Sequence, residues 1–407
     1  MIPRVPTGDV TTETVINNAN TSTGKHRTTV AEIDLAALRS NFRTAQGLLR
    51  PGVKTMAVVK ADGYGHGSVA CARALVEEGA HALGVGILEE GLLLRREGIR
   101  VPIQVLGSVF PEEIDDLIQN DLTTTLCSLE LARDIARRAE RLNRQAGVHV
   151  KVNTGMSRLG IAPQSAPGFF EELAAFKSLR IDSVFTHFAS ADEADPAFSR
   201  EQLKKFETTL DRLKQHGIPV TCAHSANSAA LLQYPASHLD MVRPGILLYG
   251  VLTSPDLEPY RKVLQNSPHG FAPVMQWKTR ILRLNPIPSG TPLSYGRKFT
   301  TKRESLIATL PVGYADGLQR SLSGKMQVLV HGQRVPQVGA ICMDLSMIDV
   351  TAIPGVQEGD EVVLFGKQGE ASISIEEVAG WCGTLPYEIM CGVGKRVPRV
   401  HLPGNGS

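Results

Sequence analysis

Between about Thr28 and Gly250 the chain repeatedly alternates short β-branched or apolar runs with segments of helical spacing. The runs are Lys54–Val59, Ala82–Ile87, Pro102–Leu106, Leu122–Leu126, Val148–Val152, Ile181–Phe185, Pro219–Ala223 and Met241–Leu248. Helical segments include Leu35–Leu49, Leu129–Gln145 and Ser199–His216. In the second of these, Leu129, Ile135 and Leu142 sit among Arg and Glu, as a surface helix requires. Strands that alternate with helices need crossover connections and therefore a parallel sheet. Eight such units in about 220 residues predict a closed (β/α)8, TIM-like barrel, near its usual size of ~250. An open doubly wound sheet is the alternative that strand counting leaves standing.

After about Leu252 the texture changes. A Pro-containing linker covers Ser254–Pro273, and strands then dominate: Met275–Leu284, Ser305–Leu310, Lys325–Val330, Ser346–Val350 and Glu361–Phe365. Turn signals at Pro288-Ser289-Gly290, His331-Gly332 and Glu358-Gly359-Asp360 separate them, and only Ile375–Trp381 has helical spacing. Met1–Arg27, rich in Thr, Asn and Gly, has neither the apolar run of a secretory signal nor the pattern of a transit peptide. The expected division is an N-terminal extension without fixed structure (1–27), a barrel (28–262) and a mostly β domain (263–407). With 43 Lys+Arg against 41 Asp+Glu, the net charge of +2 argues against nucleic acid or an anionic membrane as a bulk electrostatic partner. No apolar run approaches the roughly 18–20 residues of a spanning helix, and the reading is a cytoplasmic protein. The six cysteines are scattered without ligand spacing, so neither a disulfide frame nor a metal site is expected.

In a barrel of this kind chemistry sits where the strands end at their carboxyl edge. The unusual polar residues fall there: Lys60 after the first run, Lys151 and Arg158 at the fifth, His187 at the sixth. Ser225, Asn227 and Ser228 follow the seventh, and Arg243 opens the eighth. This agreement on one rim favours the barrel over the open sheet. Lys60 closes a wholly apolar run, so its ammonium is costly unless partnered or neutralised. A desolvated lysine is the amine that forms an imine with a carbonyl. Taken alone, it also reads as a strand-end lysine reaching solvent. The glycines that follow let backbone and Tyr64 approach a bound group closely. Ser225–Ser228 and the backbone of Gly245 and Ile246 offer small donors after strands seven and eight, where barrels commonly bind phosphate. Together these residues suggest a phosphorylated cofactor bearing a carbonyl, for which pyridoxal 5'-phosphate is the usual candidate.

The motifs AVVKADGYGHG, KVNTGMSRLG, THFASADE, ANSAALL, VRPGILLYG, LSYGRKF, LPVGYADG and VGAICMDLSMIDV occur in that order over roughly Thr28–His401. In them the chain resembles the alanine racemases, pyridoxal-phosphate isomerases that interconvert L- and D-alanine and supply D-alanine for peptidoglycan. The resemblance implies that Lys60 holds the cofactor and acts as one base. Tyr295, reaching the site from the neighbouring subunit of a homodimer, is the other. It places Arg243 against the pyridine nitrogen and His187 behind Tyr295 in a hydrogen-bonded chain. Tyr64, Asn227, Ser228, Gly245, Ile246 and Tyr387 fall on the cofactor side, and Arg158, Met343 and Tyr314 on the substrate side. Lys151 matches a lysine carbamylated in some members. The sequence departs from the family at Gly63, at Asn153 where many members have aspartate, and at Lys395 where some relatives have tyrosine. Serine or broader amino-acid racemisation uses the same machinery. A pyridoxal-phosphate decarboxylase of similar architecture, or a cofactor-carrier barrel, fits the C-terminal motifs less well.

Overall fold

The structure, a computed structural model, describes residues 27–260 and 270–402. The expected extension up to residue 26 and residues 261–269 of the expected linker lie outside the described residues. The first strand, β1 (Val30–Asp34), is followed by β2 (Lys54–Val58), β3 (Ala82–Val85), β4 (Ile103–Val105), β5 (Thr123–Leu126), β6 (Ala146–Lys151), β7 (Leu179–Phe185), β8 (Ala223–His224) and β9 (Met241–Val242). Strands β2 to β9 close into a parallel barrel, β9 pairing back onto β2 through Lys54↔Met241 and Thr55↔Val242. Each of the eight apolar runs contributes one barrel strand. Strands β3, β5 and β6 are buried from end to end, as parallel strands covered on both faces must be. Helices return the chain between strands; Ser128 caps Leu129–Arg141 by accepting from the Leu131 amide at 3.2 Å.

The second unit is built from β10 (Met275–Arg280), β11 (Arg283–Ile287), β12 (Pro292–Leu293), β13 (Phe299–Thr300), β14 (Ser305–Leu310), β15 (Gln327–Val330), β16 (Gln333–Pro336), β17 (Ser346–Asp349), β18 (Glu361–Gln368), β19 (Ala371–Ile373) and β20 (Arg399–Leu402). Its main sheet runs β16-β15-β18-β10-β1-β20 with β19 on β18, beside a three-stranded sheet β11-β14-β17 and the β12-β13 hairpin.

Three local expectations need correction. The barrel does not begin at residue 28, because β1 lies between β10 and β20 in the second unit's sheet. Its burial alternates, with Ala31 and Ile33 inside, which is the pattern of a strand covered unequally on its two faces. The run Met275–Leu284 is two strands, since the chain turns at Ile281–Leu282 and β10 and β11 enter different sheets. Helix Ile375–Cys382 is followed by a second helix, Pro386–Gly392, with proline in its first turn where no amide donor is needed. One continuous apolar core runs through both units, from Phe42 and Tyr249 to Trp277 and Phe365.

Candidate active site

The chain leaves β2 into a tight left-handed turn. Ala61, Asp62, Gly63 and Tyr64 have φ of 52°, 53°, 63° and 52°, a conformation L-residues other than glycine adopt only at a cost. The surroundings hold it there. The Asp62 carboxylate accepts from the Ser68 amide at 2.7 Å, and Glu90 accepts from the amides of Ala61 (2.6 Å) and Gly86 (2.7 Å). From the second unit, Arg399 donates to the Gly65 carbonyl at 2.9 Å and also ties down the carbonyls of Gly394 and Val397. Helix Pro386–Gly392 presses so closely that a Cβ at Gly65 would collide with the Met390 carbonyl.

This turn presents Lys60 at the barrel rim. Burial and then the Arg158 charge lower its pKa, against the opposing pull of Glu90 and Cys391. Tyr64 is buried beside Tyr249 and Tyr387, with ring centroids 5.1 and 5.7 Å away. Its hydroxyl stands where a Cβ on Gly245 would be, so glycine alone leaves that space open. The Ser228 hydroxyl accepts from the amides of Gly245 (2.9 Å) and Leu247 (3.3 Å), which draws Tyr64, Ser228, Gly245 and Ile246 into one cradle. The Asn227 side chain is occupied differently: it caps helix Ser228–Gln233 by accepting from the Ala230 amide at 3.0 Å.

Arg243 is buried at the end of β9, the strand that pairs with β2. It donates to the carbonyls of Thr186 (2.8 Å) and Ser225 (3.0 Å) and to His224 Nδ1 at 2.6 Å, and it stands 3.3 Å from His187 Nδ1. Burial and the Arg243 charge push His187 well below the ordinary histidine range, so it is neutral near pH 7. Lys151, at the end of β6, is buried and lies 5.5 Å from the Phe185 ring centroid. Burial, with Arg243 and Arg158 nearby, lowers it to about 8. Arg158 itself is exposed on the loop after β6.

Tyr295, Tyr314 and Met343 are carried by the second unit and gathered by backbone ties. The hydroxyl of Ser294 donates to the Ala340 carbonyl at 2.8 Å, and the amides of Tyr314 and Ala315 donate to Cys342 and Met343. All three side chains are exposed, Tyr295 by 74%. Tyr295 lines a hollow of about 460 Å³ with Ser294, Cys342 and Met347, and Lys60 is not among the lining residues. Within one chain, therefore, His187 meets Arg243 rather than Tyr295. His224 and Glu90 escaped the sequence reading. His224 closes a strand, as Lys60, Lys151 and His187 nearly do, and that position was the available signal. Glu90 acts through backbone amides and left no signal.

A lysine amine and a cradle of hydroxyls and amides, with a buried guanidinium on the neighbouring strand, suit a phosphorylated carbonyl compound carrying a ring nitrogen. The close approach of the Tyr64 hydroxyl to Gly245, beside the Ser228 hydroxyl, gathers donors that fit the phosphate end of pyridoxal phosphate. On a barrel joined to a β domain, this set defines the class of barrel enzymes that use that cofactor. Family models agree: "Alanine racemase, N-terminal domain" matches residues 33–253 and "Alanine racemase, C-terminal domain" residues 274–401. The alanine racemase of Halothermothrix orenii is 48% identical over 92% of this chain and 96% of its own length. That of Methanococcus maripaludis is 44% identical over 91% and 98%. Among solved structures, alanine racemase from Clostridium difficile superposes with a TM-score of 0.86 at 38% identity, covering 93% of this chain and 96% of that one. The enzyme from Bartonella henselae, described with covalently bound pyridoxal phosphate, gives 0.81 at 30% identity over 92% and 99%. The chain belongs to the alanine racemase family of pyridoxal-phosphate-dependent isomerases.

Proposed function

We propose that this protein interconverts L- and D-alanine with two bases, Lys60 and Tyr295 of the partner subunit. The observation that carries the reading is Lys60 itself: a rim lysine of lowered pKa, on the strand next to the segment that carries both the buried Arg243 and Gly245 of the cradle. Racemisation must take a proton from one face of the α-carbon and return one to the other, so it needs a base on each side. When bound, pyridoxal phosphate withdraws electrons from the α-carbon and makes that proton removable. Lys60 Nζ, made a readier proton acceptor near neutrality by burial, serves one face. Tyr295 and Met343, exposed by 74% and 54%, form with Tyr314 a face that is unfinished in a single chain. A C2 homodimer uses such a surface twice and would deliver Tyr295 to the partner's rim. His187 and Arg243 would then stand behind that tyrosine and cofactor ring respectively, Tyr64, Ser228, Gly245, Ile246, Tyr387 and the Asn227 backbone around the phosphate. Arg158, Tyr314 and Met343 would meet the substrate. A carbamate on Lys151 would replace a buried cation between Arg243 and Arg158 with an anion able to hold Arg158. Intact mass showing unmodified lysine counts against it. Supply of D-alanine for peptidoglycan from the cytoplasm is the role proposed for this activity.

The test is D-alanine formation from L-alanine, with and without added pyridoxal phosphate, run beside L-serine. Fast alanine and slow serine turnover supports the reading. Inert alanine with active serine would refute the alanine assignment and point to the Met343 side of the pocket, since one small group shifts selectivity only by about 1–3 kcal/mol.

A further inference from the structure

Beneath Arg243 the barrel interior is polar, where barrels of this type are usually filled by branched apolar side chains. Four buried residues from different strands form a single hydrogen-bonded chain there. His224 Nε2 lies 2.8 Å from Ser183 Oγ, which lies 2.5 Å from His149 Nδ1. His149 Nε2 lies 2.9 Å from Thr123 Oγ1, and that hydroxyl is 3.2 Å from the Ile103 carbonyl. The two ends fix every proton between them. A guanidinium only donates, so His224 Nδ1 accepts from Arg243 and carries its own proton on Nε2. That N–H goes to Ser183, whose hydroxyl must then donate to His149 Nδ1. His149 in turn is protonated on Nε2 and donates to Thr123, which donates to the carbonyl. Reversing one bond leaves a buried hydroxyl proton without an acceptor.

The far end opens on a cavity of about 290 Å³ at the amino-terminal mouth of the barrel, lined in part by Thr123, His149, Ser183, Arg180 and Asp182. Arg180 and Asp182 are paired with each other at 2.5 Å, and Arg243 is the other cation facing the two imidazoles, whose rings are 6.0 Å apart. Burial holds both rings neutral, His149 being lowered to about 4.

We propose that His149 and Ser183, which do not reach the rim, are positioning residues for Arg243: they take up the His224 Nε2–H and so hold the ring with its Nδ1 lone pair facing the guanidinium. Without the Ser183 hydroxyl, the buried His224 Nε2–H loses its acceptor, so the ring is no longer held and the guanidinium it faces must shift. The inference rests on the proposed function only in giving Arg243 a cofactor ring to face.

The experiment uses selectively ¹⁵N-histidine-labelled protein, with and without pyridoxal phosphate. At pH 7 both His149 and His224 are expected as Nε2–H tautomers in either state. Ser183→Ala is expected to keep the His224 proton on Nε2 but to shift that N–H resonance as it loses its acceptor, and to lower kcat about tenfold with KM within about twofold, and Ser183→Thr to restore both. Wild-type His224 protonated on Nδ1, or on both nitrogens, overturns the proposal even if no variant folds. So does a folded Ser183→Ala protein with unchanged His224 resonances and kcat. Failure of alanine turnover alone would strike the proposed function and leave the tautomer result in cofactor-free protein standing.

Discussion

Replacing Gly245 by alanine tests the cradle with one methyl group. Gly245 has φ of −121°, outside the left-handed region, so the substitution carries no left-handed backbone cost. Its direct effect is steric: the new Cβ collides with the Tyr64 hydroxyl. Tyr64 cannot step aside easily: it is 5% exposed, flanked by the Tyr249 and Tyr387 rings, and held in a left-handed turn. Overpacking of a fitted site costs about 1–3 kcal/mol. At about 1.4 kcal/mol per factor of ten, cofactor affinity should fall about 5- to 150-fold. The assay is absorbance titration of pyridoxal phosphate into cofactor-free protein, with thermal unfolding in parallel. Gly168→Ala is the control, since a Cβ there meets nothing within 4 Å. Lying inside helix Ala166–Leu173, it should leave affinity alone and stabilise by up to about 1 kcal/mol. Wild-type affinity in a folded Gly245→Ala protein would refute the placement of the phosphate.

Tyr295→Phe should cut turnover by about 10²- to 10⁴-fold while the cofactor absorbance persists. Mixing Tyr295→Phe chains with Lys60→Ala chains should recover about a quarter of wild-type activity, because half the dimers then hold one complete site; no recovery would refute sharing between subunits. Lys151→Met should raise the melting temperature of unmodified, cofactor-free protein at pH 7. The buried Lys151 ammonium opposes folding fully below about 8. The opposition is relieved as pH rises toward about 10.4, where the unfolded chain also loses the proton, so the variant's advantage should shrink over that window in pH-dependent calorimetry. Arg399→Met strips donors from the carbonyls of Gly65, Gly394 and Val397. It should cost at least about 1–3 kcal/mol in urea unfolding and weaken cofactor binding through the loosened Lys60 turn.

What the sequence by itself determined was whatever repeats locally or must lie at a strand end. Eight apolar runs with helical segments between them specify a parallel closed sheet, since uniformly buried strands and crossover helices admit few other arrangements. Lys60, Lys151, His187 and Arg243 stood out because charge or imidazole at the edge of an apolar run is costly without a partner. Tertiary structure decided what depends on partners distant in the chain. β1 reads as the start of the barrel until its neighbours β10 and β20, some 245 and 370 residues further on, claim it. Glu90 enters the site through the amides of Ala61 and Gly86, and His224 through Arg243, contacts that neither residue type announces. The exposed face carrying Tyr295 is set by ties between loops at 294, 314 and 343. Local patterns encode periodicity and burial, whereas hydrogen bonds between distant segments exist only after the core has brought those segments together.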